Sequence, residues 1–188
     1  ISSFGGVDKD AIVVLPNAQT VYQVPLTLES NGIGDLIAER LGLNTLPVDL
    51  SEWQRMVDRI TAKKDQKVSI GVVAKYLDNE DTYASIVEAL KASALHNNVD
   101  LDLVWVDAEN MNPDNDLAEL DGVLVPGGFG TRGLEGKISA AEFCIKNNKP
   151  YFGICLGMQM AVVAVARIAG LEAASQEMDD QSLSLIHI

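Results

Sequence analysis

Cysteine is scarce in this sequence, with two in 188 residues, Cys144 and Cys155. Two thiols at that spacing make neither a disulfide framework nor a metal-ligand pattern. A reducing, cytoplasmic setting is therefore the expectation. Positive charge is also short: 14 Lys and Arg stand against 27 Asp and Glu, for a formal net charge of −13. An acidic surface repels phosphate backbones and anionic lipids, so neither nucleic acid nor membrane is expected as a partner. Nucleotides, which are held by local groups, are not excluded. Long apolar runs are missing, and nothing reaches the ~20 residues a bilayer-spanning helix needs. No basic-then-apolar start marks a signal peptide, and there is no internal repeat or low-complexity segment. Histidine occurs only at His96 and His187, a shortage that bears on the chemistry.

What is present suits a globular protein: 47% of residues are hydrophobic and 22% charged, enough for a core. The length fits one domain of about 150 residues with part of a neighbour. Both ends read as cut. The chain starts at Ile1 in what reads as mid-domain sequence, and residues 183–188 (LSLIHI) read as a translated sequencing-adapter end, the alternative being an ordinary apolar tail.

Residues 11–15 (AIVVL) are a β-branched run that predicts a buried strand, closed by the turn signal Pro16-Asn17. Apolar residues recur at helical spacing from Leu26 to Leu41, with Gly32 and Gly34 weakening or dividing the helix. Residues 42–50 read as loop, and Ser51 is placed to cap a short amphipathic helix bearing Trp53, Met56, Val57 and Ile60. The polar stretch 61–67 is a plausible domain boundary. Beyond it, residues 68–74 (VSIGVVA) read as a strand buried on both faces, as in parallel sheets. A helix through Ile86, Leu90 and Leu95, strands at 101–106 and 122–125, a helix at 136–148 and a strand at 150–154 follow. The last helix, 157–169, lacks a polar face and is expected to be largely buried. Strands alternating with helices at this spacing predict an open, mostly parallel α/β sheet with helices on both faces.

Two loops follow predicted strands, where ligands bind in such sheets. The first is residues 126–133 (PGGFGTRG). The second, Gly153-Ile154-Cys155-Leu156-Gly157, has the form of a nucleophile elbow. Glycines on either side admit the tight turn, and Cys155 is held at the start of the following helix, where the dipole and free N–H groups favour negative charge. The Leu156 N–H is placed to stabilise an oxyanion, and the Gly127-Gly128 pair is the obvious source of a second donor. Either loop alone has an ordinary structural reading, a turn or a core cysteine. Together, at matching strand ends, they point to a thiol active site. Cys144, on its helix, reads as core.

PGGFGTRGLEGK followed by PYFGICLGMQ resembles the triad-type (class I) glutaminase domain of the CTP synthase family. AKYLDNEDTYASIVEAL (residues 74–90) resembles that domain's first strand and helix. TVYQVPLTLESNGIGDLI and LSEWQRMV resemble the end of the family's synthase domain and its interdomain linker. The resemblance implies a flavodoxin-like class I glutaminase fold, truncated, at residues 68–182. Before it come the end of an α/β amidoligase (synthase) domain at 1–42 and a linker with a short helix at 43–67, and after it a non-native tail at 183–188.

It also implies a reaction: ATP and Mg²⁺ phosphorylate UTP, and ammonia released from glutamine converts the intermediate to CTP. GTP is implied as activator and a homotetramer as the assembly. By position, Cys155 matches the nucleophile, and Gly128 and Leu156 match the oxyanion donors. Gly157, Met158, Gln159 and Glu177 fall at glutamine-binding positions, Glu177 being otherwise a solvated acid. Arg132, Gly133 and Glu135 match a loop linked to GTP activation, or a charged lid without a ligand. Pro16, Asn17 and Ala18 lie where the family touches ATP but depart from its pattern. No metal ligand is expected in this chain.

A triad also needs a His and an acid, which the family supplies as His-x-Glu downstream of the cysteine. His96 precedes the nucleophile near a helix end, and His187 lies in the suspect tail. The alternatives are a related cysteine hydrolase of the same architecture, which would commonly place His where this chain has Leu156, and a pseudo-glutaminase that has lost its base.

Overall fold

A computed structural model describes residues 1–44, 46–75, 77 and 80–175. The chain forms two compact units, Ile1–Lys63 and Lys64–Ile188.

The first unit is built from helices: α1 (Ser2–Gly5), α2 (Val24–Ser30), α3 (Ile33–Leu41) and α4 (Ser51–Thr61). The predicted long helix is divided, as its glycines suggested. α2 stops at Asn31, and Gly32, with φ 74°, is the left-handed residue from which α3 restarts. The expected strand over residues 11–15 does not form. Ala11 ends a short 3-10 turn, and Val14 and Leu15 are exposed. A β-branched run becomes a strand only where a neighbour supplies a ladder, and no strand is found among the described residues of this unit. The cap of α4 is also corrected: Asp49, not Ser51, accepts through its side chain, from the Ser51 N–H at 2.9 Å. Trp53 donates its indole N–H to the Tyr22 carbonyl at 2.7 Å.

The second unit is a four-stranded parallel sheet of β1 (Lys67–Ala74), β2 (Asp100–Asp107), β3 (Gly122–Val125) and β4 (Tyr151–Gly153), in the order β2-β1-β3-β4. Three helices connect the strands or follow them: α5 (Ala84–Asn97), α7 (Leu134–Lys146) and α8 (Leu156–Ile168), with the single turn α6 (Pro113–Asp116) before β3. Strand alternation sorts the core into two layers. Val72, Ala74 and Leu124 face one side, with Tyr83 and with Ile86 and Leu90 of α5. Val73, Val106, Val123 and Val125 face the other, with Ala140 and Cys144 of α7. This is the open sheet, covered on both faces, that the sequence pattern predicted.

α8 differs from expectation. It buries Leu156, Met160, Val163 and Ala164 against Leu134, Ile138 and Ala141 of α7, but Met158, Val162, Val165 and Ile168 are exposed. Its apolar character all round meant that no polar face existed to turn outward. Burial of one side against α7 leaves the other side uncovered by any described element.

The chain order places a topological switch between β1 and β3: after β1 it runs outward to β2, then returns to the other side of β1. The crevice at the carboxyl ends of strands flanking such a switch is the natural ligand site of an open α/β sheet. Lys75 directly follows β1, residues 126–133 follow β3, and Cys155 closely follows β4.

Candidate active site

Cys155 is exposed and has φ 52° and ψ −110°. The other described non-glycine residues with positive φ are Asn98 and Asn148, a residue type that tolerates the left-handed region. A cysteine held there stores strain that the surrounding structure must impose. The turn is enforced by close packing. A Cβ on Gly153 would lie 2.5 Å from the Met158 nitrogen, and one on Gly157 would lie 2.0 Å from the Val125 oxygen. No other residue fits either position, so strand β4 runs directly into α8 with Cys155 at the apex. Tyr151 braces the turn by donating its hydroxyl to the Gly157 carbonyl at 2.7 Å. Burial raises the phenol far above its ordinary value, so this donor keeps its proton.

The first-turn N–H groups of a helix have no intrahelical partner. Here the Gly157 N–H is taken by the Ile154 carbonyl at 2.9 Å, and the first helical bond runs from the Gln159 N–H to the Cys155 carbonyl at 3.2 Å. The Leu156 N–H, next after the thiol, takes part in neither bond. Across the crevice, a Cβ built on Gly127 would lie 3.4 Å from the Cys155 Cβ. The two loops predicted from sequence thus meet, with the Gly127 backbone at van der Waals distance from the cysteine. An exposed thiol, a helix-start N–H without a partner among the described residues and a close glycine loop make an arrangement suited to adding sulfur to a carbonyl carbon.

A model of the family described as glutamine amidotransferase class-I matches residues 79–187, more than half of the chain. The chain belongs to the class I glutamine amidotransferase family. Among curated proteins, it is 43% identical over 184 residues to a CTP synthase of Methanothermobacter thermautotrophicus, covering 97% of this chain and 34% of that protein. It is 45% identical over 170 residues to a CTP synthase of Roseiflexus, covering 89% of this chain and 30% of the relative. The chain therefore spans about a third of the length of these relatives. Among solved structures it is similar to the Trypanosoma brucei CTPS glutaminase domain with bound acivicin. The TM-score is 0.56 and the identity 40%, covering 62% of this chain and 48% of that one.

The other residues singled out from the sequence of the second unit fall in three groups. Leu156, Gly157, Met158 and Gln159 open α8 directly after Cys155, and Gly128 follows Gly127 in the facing loop; Met158 is exposed and Gln159 half-buried. Glu177 and His187 lie outside the described residues. Arg132, Gly133 and Glu135 open α7, but both charged members are engaged within the protein. Arg132 pairs with Glu109 at 2.6 Å, and Glu135 takes a two-pronged contact from Arg167 at 2.8 and 3.0 Å. That guanidinium holds the Glu135 carboxyl below the usual carboxylate range.

Pro16, Asn17 and Ala18 belong to the first unit. There they line a cavity of about 340 Å³ with Gln23, Gln54, Asp58 and Thr61. Cys144 is 1% exposed in the core, and burial pushes its thiol up to about 11. It is the inert cysteine.

His96 sits in the last turn of α5. That helix starts near the carboxyl ends of the strands and runs back along the sheet, which carries His96 ~18 Å away from that edge at 1.5 Å per residue. Among the described residues no group of His, Cys, Asp and Glu could hold a metal ion, and no helix is long and apolar enough to cross a membrane.

Sequence reading missed two site residues, Lys75 and Lys137. Lys137 was legible: Leu134, Lys137, Ile138 and Ala141 fall on one helical face, so a lysine stands inside the buried stripe. Lys75 gave no signal beyond following a buried strand.

Proposed function

We propose that this chain is part of a CTP synthase, with Cys155 as the nucleophile of its glutamine-hydrolysing site. The observation that carries the reading is the strained, exposed Cys155 held at the start of α8 against the Gly127-Gly128 backbone. The Cys155 sulfur adds to the glutamine carboxamide carbon, and the carbonyl oxygen becomes an oxyanion facing the N–H groups of Gly128 and Leu156. Collapse expels the amide nitrogen, which leaves as ammonia with the proton from the thiol, and a glutamyl thioester forms. Water then releases glutamate and restores the thiol. Gly157, Met158 and Gln159 line the glutamine side of the elbow, and Glu177 is the further substrate contact.

In the whole protein, ammonia aminates UTP with ATP and Mg²⁺ as substrate and cofactor. GTP activates glutamine hydrolysis, and the assembly is a cytoplasmic homotetramer. Residues 1–42 form the end of the synthase domain, 43–67 the linker and 68–182 the first part of the glutaminase domain. The cavity at Pro16 to Ala18 presents amides, the hydroxyls of Thr27 and Thr61 and the Asp58 carboxylate but no cationic side chain. That donor set does not fit a triphosphate, and no step is routed through it. A guanine nucleotide at residues 132–135 must compete with the ion pairs to Glu109 and Arg167.

The 188-residue chain holds the nucleophile without a base at the site among its described residues, so its own glutamine turnover is negligible in this reading. Two measurements test it. In the whole protein, Cys155→Ala should abolish glutamine-dependent CTP formation while ammonia-dependent formation persists; loss of neither sinks the assignment. In the chain, a glutamine-mimicking chloroketone should label Cys155, with protection by glutamine, and mapping of the label to Cys144 would overturn it.

A further inference from the structure

Two buried cations stand behind the glycine loop. Lys137 is the largest of the fully buried side chains among the described residues, at 0% exposure, and Lys75 is 7% exposed. The Lys137 Nζ donates to the Pro126 carbonyl at 3.3 Å, and the Lys75 Nζ donates to the Phe129 carbonyl. Both ammonium groups converge on the residue between: a Cβ placed on Gly128 would lie 3.6 Å from the Lys137 Nζ and 3.8 Å from the Lys75 Nζ. Burying an ammonium is costly, and placing two like charges around one point adds to the cost. Three apolar neighbours on the same α7 stripe, Leu134, Ile138 and Ala141, show that an apolar side chain would suit position 137.

We propose that Lys75 and Lys137 are positioning residues for glutamine hydrolysis, an inference that rests on the assignment of Cys155 and Gly128 above. Lys137 fixes the Pro126–Gly127 peptide and Lys75 the Phe129–Gly130 peptide by holding their carbonyls. The Gly127–Gly128 peptide is thereby clamped from both sides, which sets the direction of the Gly128 N–H. The two charges also place a positive field behind the position where the oxyanion forms, in a site of low dielectric where such a field is strongest. Neither lysine touches the substrate. Both act through the loop.

The test uses the 188-residue chain and two reagents for Cys155, the glutamine-mimicking chloroketone and iodoacetamide. In each case sulfur displaces the halide and a carbonyl stands beside the reacting carbon, but only the chloroketone has the glutamine-like part that seats its carbonyl against the glycine loop. Labelling rates are read by mass spectrometry on wild type, Lys137→Met, Lys75→Met and Lys137→Arg. Lys149→Met serves as a control at the far end of the sheet, where Lys149 holds the carbonyls of Ala118 and Leu120.

The methionine variants should lose about tenfold or more in glutamine-protected chloroketone labelling, by analogy with the loss of an oxyanion donor. Their iodoacetamide rates should stay within about twofold, which reports that the thiol and the fold around it are intact. Lys137→Arg should recover part of the loss, and Lys149→Met should show none. Amide NMR signals of Gly127 and Gly128 should move in the methionine variants.

Wild-type selectivity retained in both methionine variants would overturn the proposal. So would an equal fall with both reagents alongside a lowered melting temperature, which marks a merely structural role. Wild type labelled by the chloroketone without glutamine protection would instead sink the glutamine site itself, and this inference with it.

Discussion

The two units of this chain handle their apolar residues in opposite ways. In residues 64–175, strand alternation distributes valines to both faces of a sheet, and helices cover them. In residues 1–63, Ala38 and Val57 are the buried hydrophobic residues, while Phe4 is 100% exposed, Val14 79% and Val21 72%. Apolar content alone therefore does not make a core. A core requires elements whose apolar faces can meet, and parallel strands with crossover helices provide them where short helices do not. The consequence is functional. The strained Cys155 backbone needs a rigid surround, and the second unit, with β3, β4 and α8 packed around Gly153 and Gly157, supplies it.

The comparison can be broken by hydrogen exchange. Backbone amides of α2, α3 and α4 should exchange at least ~100-fold faster than those of β1 and β3, because local opening follows buried contact. Peptide-resolved mass spectrometry on the intact chain reads this directly, and equal protection of the two units would refute the contrast.

Core truncation sharpens it. Leu117 is fully buried in the layer shared with Val73 and Val125, and Leu117→Ala should cost about 2–5 kcal/mol. Ile37→Ala, on the exposed side of α3, should cost no more than about 0.5 kcal/mol. Urea midpoints followed by a signal from the sheet decide between them, and similar losses for both would show that the first unit carries stability its burial does not reveal.

The same contrast governs what was readable in the sequence. In the second unit, the strands were placed to within a residue or so, because β-branched runs between turn residues are local signals that the sheet then satisfies. The elbow was legible for the same reason, since Gly153 and Gly157 answer contacts that any strand-to-helix turn this tight must make. Residues 11–15 carried an equally strong strand signal and failed, because pairing depends on a neighbour that no local pattern reveals. The outward face of α8 was misjudged on similar grounds: hydrophobicity says that a helix should be covered, not whether something covers it. Lys137 hid in plain view within an apolar stripe, where its charge argued for solvent and its spacing for the core.

Cys144 provides a test by pH. Its thiol titrates near 9 when unfolded and is pushed up to about 11 by burial in the second unit. The unfolded chain therefore releases this proton first. The contribution is fully present below about pH 9 and is lost as pH rises towards 11, by about 2–3 kcal/mol at 1.36 kcal/mol per unit. Cys144→Ala should flatten that part of the stability profile, measured by urea unfolding between pH 8 and 11. An unchanged slope in the variant would mean that the layer around Cys144 is more open to water than its 1% exposure indicates.

The smallest effect separates an ion pair from the core beneath it. Glu135 accepts two hydrogen bonds from Arg167, joining the start of α7 to the end of α8, and Arg167 also donates to the Ala173 carbonyl at 3.0 Å. The Glu135 side chain is 63% exposed, so solvent screens the pair and its worth is no more than about 1 kcal/mol. The carboxyl is held below its unfolded value by the guanidinium. Its stabilisation is thus present above about pH 4.5 and is lost as pH falls through the lower, folded value. Glu135→Gln should remove that acid-side dependence and lower the urea midpoint slightly at pH 7. It should leave exchange protection of β1 and β3 unchanged, since α7 and α8 remain joined by Leu134, Ile138 and Met160. Loss of sheet protection in this variant would mean that the ion pair, and not the apolar contact under it, holds α8 and its cysteine in place.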